Sequence, residues 1–382
     1  MRIYLDHNAT TPLREEVQEA MLRALRDRFG NPSSTHAEGA AARAALERAR
    51  AQVAVLVGCE PSEVLFTAGA SEANSTALYG VLPQVPADKR HIVTSTVEHP
   101  SVDEPLAALE RQGWRITRVP VDGEGLLAPE AVLAALTPQT ALVSLLWANN
   151  ETGVVQPLEQ IAPLLRERGV LFHTDATQRL GKQPVAFHRL PADLLSASAH
   201  KLNGPKGIGM LALRKGVSFE PWLRGGPQER RRRGGTENVV GAIGFGVACE
   251  LAKPDLEARA QALARLRDRL WEGLATKVPC VRRNGSARYL LPNTLNVEFA
   301  GVAGEALQQA LDLAGVAVST GAACASGSLQ PSHVLLALGR SPAQARASLR
   351  FSLGWGVSDA QIDQVLALLP DLVARVREAS AE

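Results

Sequence analysis

The chain has 382 residues, 46% hydrophobic and 21% charged, the balance of an ordinary globular protein and enough length for one large unit or two unequal ones. Lys plus Arg (41) nearly cancel Asp plus Glu (39), and a net charge of +2 gives no footing for a nucleic-acid partner. No window holds the ~18 uninterrupted apolar residues of a membrane span, and the start Met1-Arg2-Ile3-Tyr4-Leu5-Asp6 lacks the apolar stretch of a secretion signal, so a cytoplasmic protein without a membrane segment is expected.

In chain order, the N-terminal residues read as the start of a strand. Thr11-Pro12 followed by Glu15 and Glu16 reads as a helix start with proline in its first turn. A buried strand is expected at 64–67, then Ala68-Gly69-Ala70 and a helix over about 71–82. Short apolar or β-branched runs at 91–95, 141–147, 170–174, 193–198 and 209–213 alternate with helical patterns. One such helix, over 157–168, places Leu158, Ile161, Leu164 and Leu165 on one face. This alternation predicts an α/β fold with a mostly parallel sheet covered on both sides. From about 254 the texture changes: a long amphipathic helix over 255–276, strands near 294–299, 316–319 and 349–353, and a terminal helix over 359–377. The expected organisation is a large unit of 13–254 and a smaller α+β unit made of 1–12 and 255–382.

In an open parallel sheet, ligands bind beyond the carboxyl ends of the strands. Those ends carry Glu98-His99, Ala148-Asn149-Asn150-Glu151, Asp175-Ala176-Thr177-Gln178 and Ala199-His200-Lys201. An amide, a carboxylate, a lysine and two histidines are therefore expected on one edge. Ala68-Gly69-Ala70-Ser71, between a strand and a helix, suits a phosphate at a helix N-terminus, although Ser71 could equally be an ordinary N-cap. Lys201 lies between a buried strand and the constrained turn Asn203-Gly204-Pro205-Lys206-Gly207. Partial loss of hydration there would favour the neutral amine needed for a Schiff base. A surface lysine beside a turn is the plain alternative. Asp175 sharpens the choice, because a carboxylate at a pyridinium nitrogen keeps such a ring an electron sink. Asp175 could otherwise simply cap a helix.

Cys59, Cys249, Cys280 and Cys324 are far apart with no C-x-x-C pair, which signals neither a zinc site nor a disulfide framework. Cys59, Cys249 and Cys280 read as inert packing. Cys324 lies in Ser319-Thr320-Gly321-Ala322-Ala323-Cys324-Ala325-Ser326-Gly327-Ser328, a small and polar run that reads as a mobile loop.

The segments Tyr4-Leu5-Asp6-His7-Asn8-Ala9-Thr10-Thr11-Pro12, Phe66-Thr67-Ala68-Gly69-Ala70-Ser71-Glu72 and His173-Thr174-Asp175-Ala176-Thr177-Gln178 resemble those of the cysteine desulfurases. So do Ser198-Ala199-His200-Lys201, Gly234-Gly235-Thr236-Glu237-Asn238 and Ser319-Thr320-Gly321-Ala322-Ala323-Cys324. That NifS/IscS-like group belongs to the class V aminotransferases of pyridoxal-phosphate fold type I, and the resemblance runs in order from residue 4 to about 356.

The resemblance implies a seven-stranded-type sheet in the large domain and pyridoxal 5'-phosphate bound covalently by Lys201. Asp175 would pair the ring nitrogen, and His99 would stack on the ring and relay protons. Gln178 and Asn150 would hydrogen-bond the phenolic oxygen or the substrate. Ala70, Ser71, Ser198 and His200 would hold the phosphate, and Thr236 would reach the phosphate of the neighbouring subunit in a homodimer. Ser71 stands where the family commonly has threonine, which keeps the hydroxyl. His7 stands where Asn or Tyr is frequent, and no role is assigned to it. Arg350 matches the arginine that grips the substrate carboxylate bidentately, with a structural ion pair as its alternative.

The implied reaction converts L-cysteine to L-alanine, with the Cys324 thiolate taking the sulfur as a persulfide for a sulfur-acceptor protein. Lys201 or His99 would move the α-proton. The full-length loop around Cys324 suggests service to iron–sulfur cluster assembly or tRNA thiolation. The short segment after the terminal helix leaves the acceptor open. No metal site is expected, although Cys324 could ligate an iron–sulfur cluster transiently during hand-over.

An aminotransferase or selenocysteine lyase of the same fold is one competing reading, and a non-catalytic relay or scaffold protein is another. A Rossmann dehydrogenase is disfavoured because no G-x-G-x-x-G follows an early strand. The run Arg230–Arg233 reads either as a solvated loop or as the lining of a dimer edge beside Thr236.

Overall fold

The computed structural model describes residues 2–320 and 330–381. Its strands in chain order are β1 (Ile3–Tyr4), β2 (Val64–Thr67), β3 (His91–Ser95), β4 (Arg115–Val119), β5 (Thr140–Leu146) and β6 (Leu171–Asp175). They continue with β7 (Leu194–Ser198), β8 (Gly209–Leu213), β9 (Val281–Arg283), β10 (Thr294–Phe299), β11 (Val316–Ala317) and β12 (Ser348–Ser352).

A seven-stranded sheet runs β2-β8-β7-β6-β5-β3-β4. Only β8 opposes its neighbours, so the sheet is mostly parallel, as its alternation with helices predicts. Strands β3, β5, β7 and β8 are buried along their whole length, which is why they read as unbroken apolar runs. β4 is missing from the sequence reading. It is an edge strand, and the exposed Arg115 and half-buried Arg118 break its apolar pattern.

The register sets the site. Leu146 stands beside Asp175, Asp175 beside Ser196, Ser198 beside Gly209 and Gly209 beside Thr67. The ends of five strands are therefore nearly level. A Cβ on Gly209 would come within 2.6 Å of the Gly69 backbone. Glycine at 209 is what lets β8 pass beneath the turn that starts the next helix.

That helix is Ala70–Val81, with Gly69 at its N-cap position. Ser71 is thus inside the first turn and not the cap. The first helix is Glu15–Asp27, capped at Arg14, so Pro12 lies before it and not in its first turn. Thr11 instead ties the N-terminal segment to the turn after β7: its Oγ1 donates to His200 O at 2.9 Å and accepts from Asn203 N at 2.8 Å.

A separate antiparallel sheet, β12-β10-β9, and the parallel pair β1-β11 enclose a second apolar cluster. Ile3 and Leu5 join it with Leu266, Leu270 and Leu274 of the helix Leu256–Lys277 and with the helix Asp359–Ala381. Cys249 is packed inside the helix Val239–Ala252. Cys280 departs from expectation: it is exposed, with φ of 56°, because it turns the chain into β9 and does not pack against it.

Arg230 to Arg233 are not a free solvated run. Arg233 pairs with Glu72 at 2.8 Å, Arg230 with Glu47 at 3.0 Å, and Arg232 donates to Ser62 O at 2.8 Å. Among the described residues, no helix is long and apolar enough to cross a membrane.

Candidate active site

The strand ends open on a cavity of about 650 Å³. Lys201 closes the short helical turn Ala199–Lys201 that follows β7. Its Nζ donates to Asn8 O at 2.6 Å and Ala9 O at 2.7 Å, which holds the ammonium against the N-terminal segment. Asp175 ends β6. Its Oδ1 accepts from Thr177 N at 2.9 Å and its Oδ2 from Asn74 Nδ2 at 2.8 Å, so the carboxylate is held from two sides.

His99 is the N-cap of the helix Pro100–Arg111. Its Nδ1 accepts from Ser101 N at 3.1 Å and lies 2.7 Å from Ser101 Oγ. Burial pushes its pKa down, and the nearby Asp175 carboxylate opposes that shift. The preceding Glu98 does not line the cavity. It turns into the core, accepts from Ser95 Oγ at 2.6 Å and from Leu146 N, and burial pushes it up to about 8.

Gln178 donates through Nε2 to Asn8 O at 3.0 Å and accepts through Oε1 from the buried Lys182 Nζ at 2.6 Å. Burial first, then Lys201 and Arg350, hold the Lys182 ammonium well below its usual range. Asn150 lines the cavity, and its carbonyl accepts from Arg350 Nη1 at 3.0 Å. Arg350 is 2% exposed and donates through Nη2 to Asp6 Oδ1 at 2.6 Å. Its Nε is buried and has no hydrogen-bond partner among the described residues, which leaves that donor unsatisfied.

On the other side, Gly69, Ala70 and Ser71 present the start of a 12-residue helix, whose first N–H groups have no acceptor within the helix. Ser198 and His200 face the same cavity. Burial, then Lys201 and Lys206, lower His200 to about 4, so its imidazole is neutral at pH 7. An anion of phosphate size meets small residues, free helix N–H groups and the Lys206 ammonium there.

Lys201, Asp175, His99, Gln178, Asn150, Arg350, Ala70, Ser71, Ser198 and His200 all line this one cavity. Thr236 does not: it is exposed and outside the lining. Cys324 lies outside the described residues. Its flanks are tied to the site, because Ser319 and Arg350 exchange backbone hydrogen bonds of 3.2 and 2.7 Å and Ser332 Oγ donates to the buried Glu151.

Sequence reasoning missed Asn8, Thr10, Asn74, Ser101 and Lys206 as parts of the site. Lys206 was legible as a second lysine in the turn after Lys201. Asn74 was legible only as one helical turn beyond Ser71.

The aminotransferase class-V family matches residues 3–365. The chain is 50% identical over 381 residues to a cysteine desulfurase of Cereibacter sphaeroides, covering 99% of this chain and 97% of that one. It is similar to a solved NifS-like protein with a TM-score of 0.92 and 36% identity, over 98% of this chain and 100% of the other. It is also similar to SspA, solved in complex with cysteine, with a TM-score of 0.82 and 35% identity over 92% and 99% of the two chains.

Proposed function

The chain belongs to the class-V aminotransferase family, and we propose that it works there as a cysteine desulfurase, using Lys201 as the cofactor lysine and Cys324 as the sulfur-receiving thiol. The family uses pyridoxal phosphate, and the α/β architecture is that of its fold type I members. The observation that carries the reading is the meeting of Lys201, Asp175 and His99 in one cavity of a chain half identical to a cysteine desulfurase.

Lys201 would hold the cofactor and Asp175 would pair its ring nitrogen, while His99 would lie on its face. Gln178 and Asn150 would meet the phenolic oxygen or the substrate. Ala70, Ser71, Ser198 and His200 would grip the phosphate. Bound there, pyridoxal phosphate supplies an aldehyde carbon for the substrate amine and a sink for electrons released at its α-carbon. Arg350 lines the cavity and its Nε has no partner among the described residues, which supports Arg350 as the clamp on the substrate carboxylate. Lys201 Nζ, steered by the Asn8 and Ala9 carbonyls, is the group that would move the α-proton.

The overall change is balanced without an outside oxidant. The carbon–sulfur bond of L-cysteine breaks, a sulfur–sulfur bond forms to Cys324, and L-alanine leaves with the hydrogen of the Cys324 thiol. The persulfide then goes to a sulfur-acceptor protein, an iron–sulfur scaffold or a thiolation enzyme. During that hand-over Cys324 could ligate a cluster. The cytoplasm suits such a thiol, because its poise keeps an unpaired cysteine reduced.

The separate apolar clusters support a large unit of 13–254 and a small unit of 1–12 plus 255–382. The exposure of Thr236 beside the pinned Arg233 suits a homodimer in which Thr236 reaches the neighbouring phosphate.

The test is to incubate the purified holoenzyme with cysteine and a thiol reductant and to measure products. Alanine and sulfide in equal amounts are expected. Pyruvate and ammonia in place of alanine would instead identify an eliminating enzyme.

A further inference from the structure

A directional hydrogen-bond chain runs beneath the site, and its direction is fixed by groups that can only donate. Asn74, fully buried in the helix Ala70–Val81, uses one nitrogen for two acceptors: Nδ2 lies 2.8 Å from Asp175 Oδ2 and 2.9 Å from Ser101 Oγ. The amide cannot be turned over without facing its oxygen against the Asp175 carboxylate, even though Oδ1 has no partner among the described residues as it stands. Ser101 Oγ therefore accepts from Asn74, and its own hydrogen points to His99 Nδ1 at 2.7 Å. The Ser101 backbone N–H, a donor by necessity, reaches the same Nδ1 at 3.1 Å. Two donors on Nδ1 leave no place there for a proton.

We infer that Asn74 and Ser101 are positioning residues that fix His99 as the tautomer with its proton on Nε2, so that His99 serves the reaction as a hydrogen-bond donor and not as a base. The inference rests on the desulfurase reading, and it leaves Lys201 to abstract the α-proton. A neutral imidazole in this state polarises a developing negative charge without giving its proton away. Among the described residues, the charged or titratable groups that act on the ring are Asp175 from β6, Lys201 from the turn after β7 and His333 from the helix His333–Ala337. Asp175 favours the imidazolium, while burial, Lys201 and His333 oppose it. The same Asn74 amide restrains Asp175, so one side chain sets both the carboxylate and the tautomer of the imidazole.

The experiment is nitrogen NMR on the holoenzyme labelled with 15N-histidine, with the His99 signals assigned by their loss in His99→Gln. Nδ1 without a proton and Nε2 with one are expected, from mildly acid to mildly alkaline pH. Ser101→Ala removes a donor to the neutral ring, so the His99 titration should move to higher pH. The kcat should drop about fivefold, the worth of one neutral hydrogen bond, with KM for cysteine nearly unchanged. Ser101→Thr, which keeps the hydroxyl, should restore both. Asn74→Ala should move the titration in the same direction.

A wild-type ring protonated on Nδ1, or a His99 titration unmoved in Ser101→Ala, overturns the inference. A merely structural role for Ser101 would leave the tautomer and titration in place. Failure of the desulfurase reading shows separately, as no alanine from the wild-type enzyme, while the tautomer stays readable.

Discussion

Arg350 donates to Asp6 at 2.6 Å across 344 positions of sequence, and this pair joins the first residues of the chain to β12 directly under the cavity. Asp6 occupies one end of the guanidinium and Asn150 O another, so the fork is aimed before substrate arrives. Arg350→Lys keeps the charge but loses the planar fork. It should lower kcat/KM for cysteine about a hundredfold, mainly through KM, as steady-state kinetics will show. Asp6→Asn should cost about 2 kcal/mol in urea unfolding, because it weakens a hydrogen bond to a charged group that stays buried.

Lys201→Ala should fold normally, since its hydrogen bonds to the Asn8 and Ala9 carbonyls lie beside the cavity and not in the core. The variant purified with pyridoxal phosphate should lack the yellow band of a lysine-bound cofactor. An absorption spectrum decides this, and a band that persists would remove Lys201 from its role.

Asp175→Asn should keep the cofactor but lose the negative charge opposite its ring nitrogen. Its carboxamide oxygen can still accept from Asn74 or from Thr177 N, so the fold should stand. The kcat should drop by about a hundredfold or more, with a smaller change in cofactor content.

Glu98 predicts a pH dependence of stability. Burial raises it from 4.5 in the unfolded chain to about 8 in the folded one, so the native protein keeps a proton that the unfolded chain has lost. Its stabilising contribution is full below about 4.5 and is lost as pH rises through about 8. Glu98→Gln should flatten the fall in Tm between about pH 5 and about pH 9, read by thermal unfolding. An unchanged slope would mean that the carboxyl is ionised in the fold.

The parts of this site that sit at strand ends were legible in the sequence. Lys201, Asp175, His99 and Asn150 each follow or end an apolar run, and parallel strands bring such ends together whatever lies between them. Arg350 was legible only by resemblance, because its partner Asp6 lies at the other end of the chain. Asn74 was marked only by its place one helical turn beyond Ser71, and its pairing with Ser101 had no signal, since that contact is between two different helices. β4 was hidden by its arginines, and Pro12 misled because Thr11 serves the turn at Asn203 and not a helix cap. The chemistry was therefore more legible than the scaffold that orients it.

The account turns on Cys324 as the thiol that takes the sulfur. The most direct measurement is sulfide and alanine release from cysteine by Cys324→Ala, prepared as the holoenzyme with a thiol reductant present. The yellow colour should remain and sulfide release should fall to background, because Lys201 is intact and the acceptor thiol is gone. Full sulfide release by that variant would contradict the account.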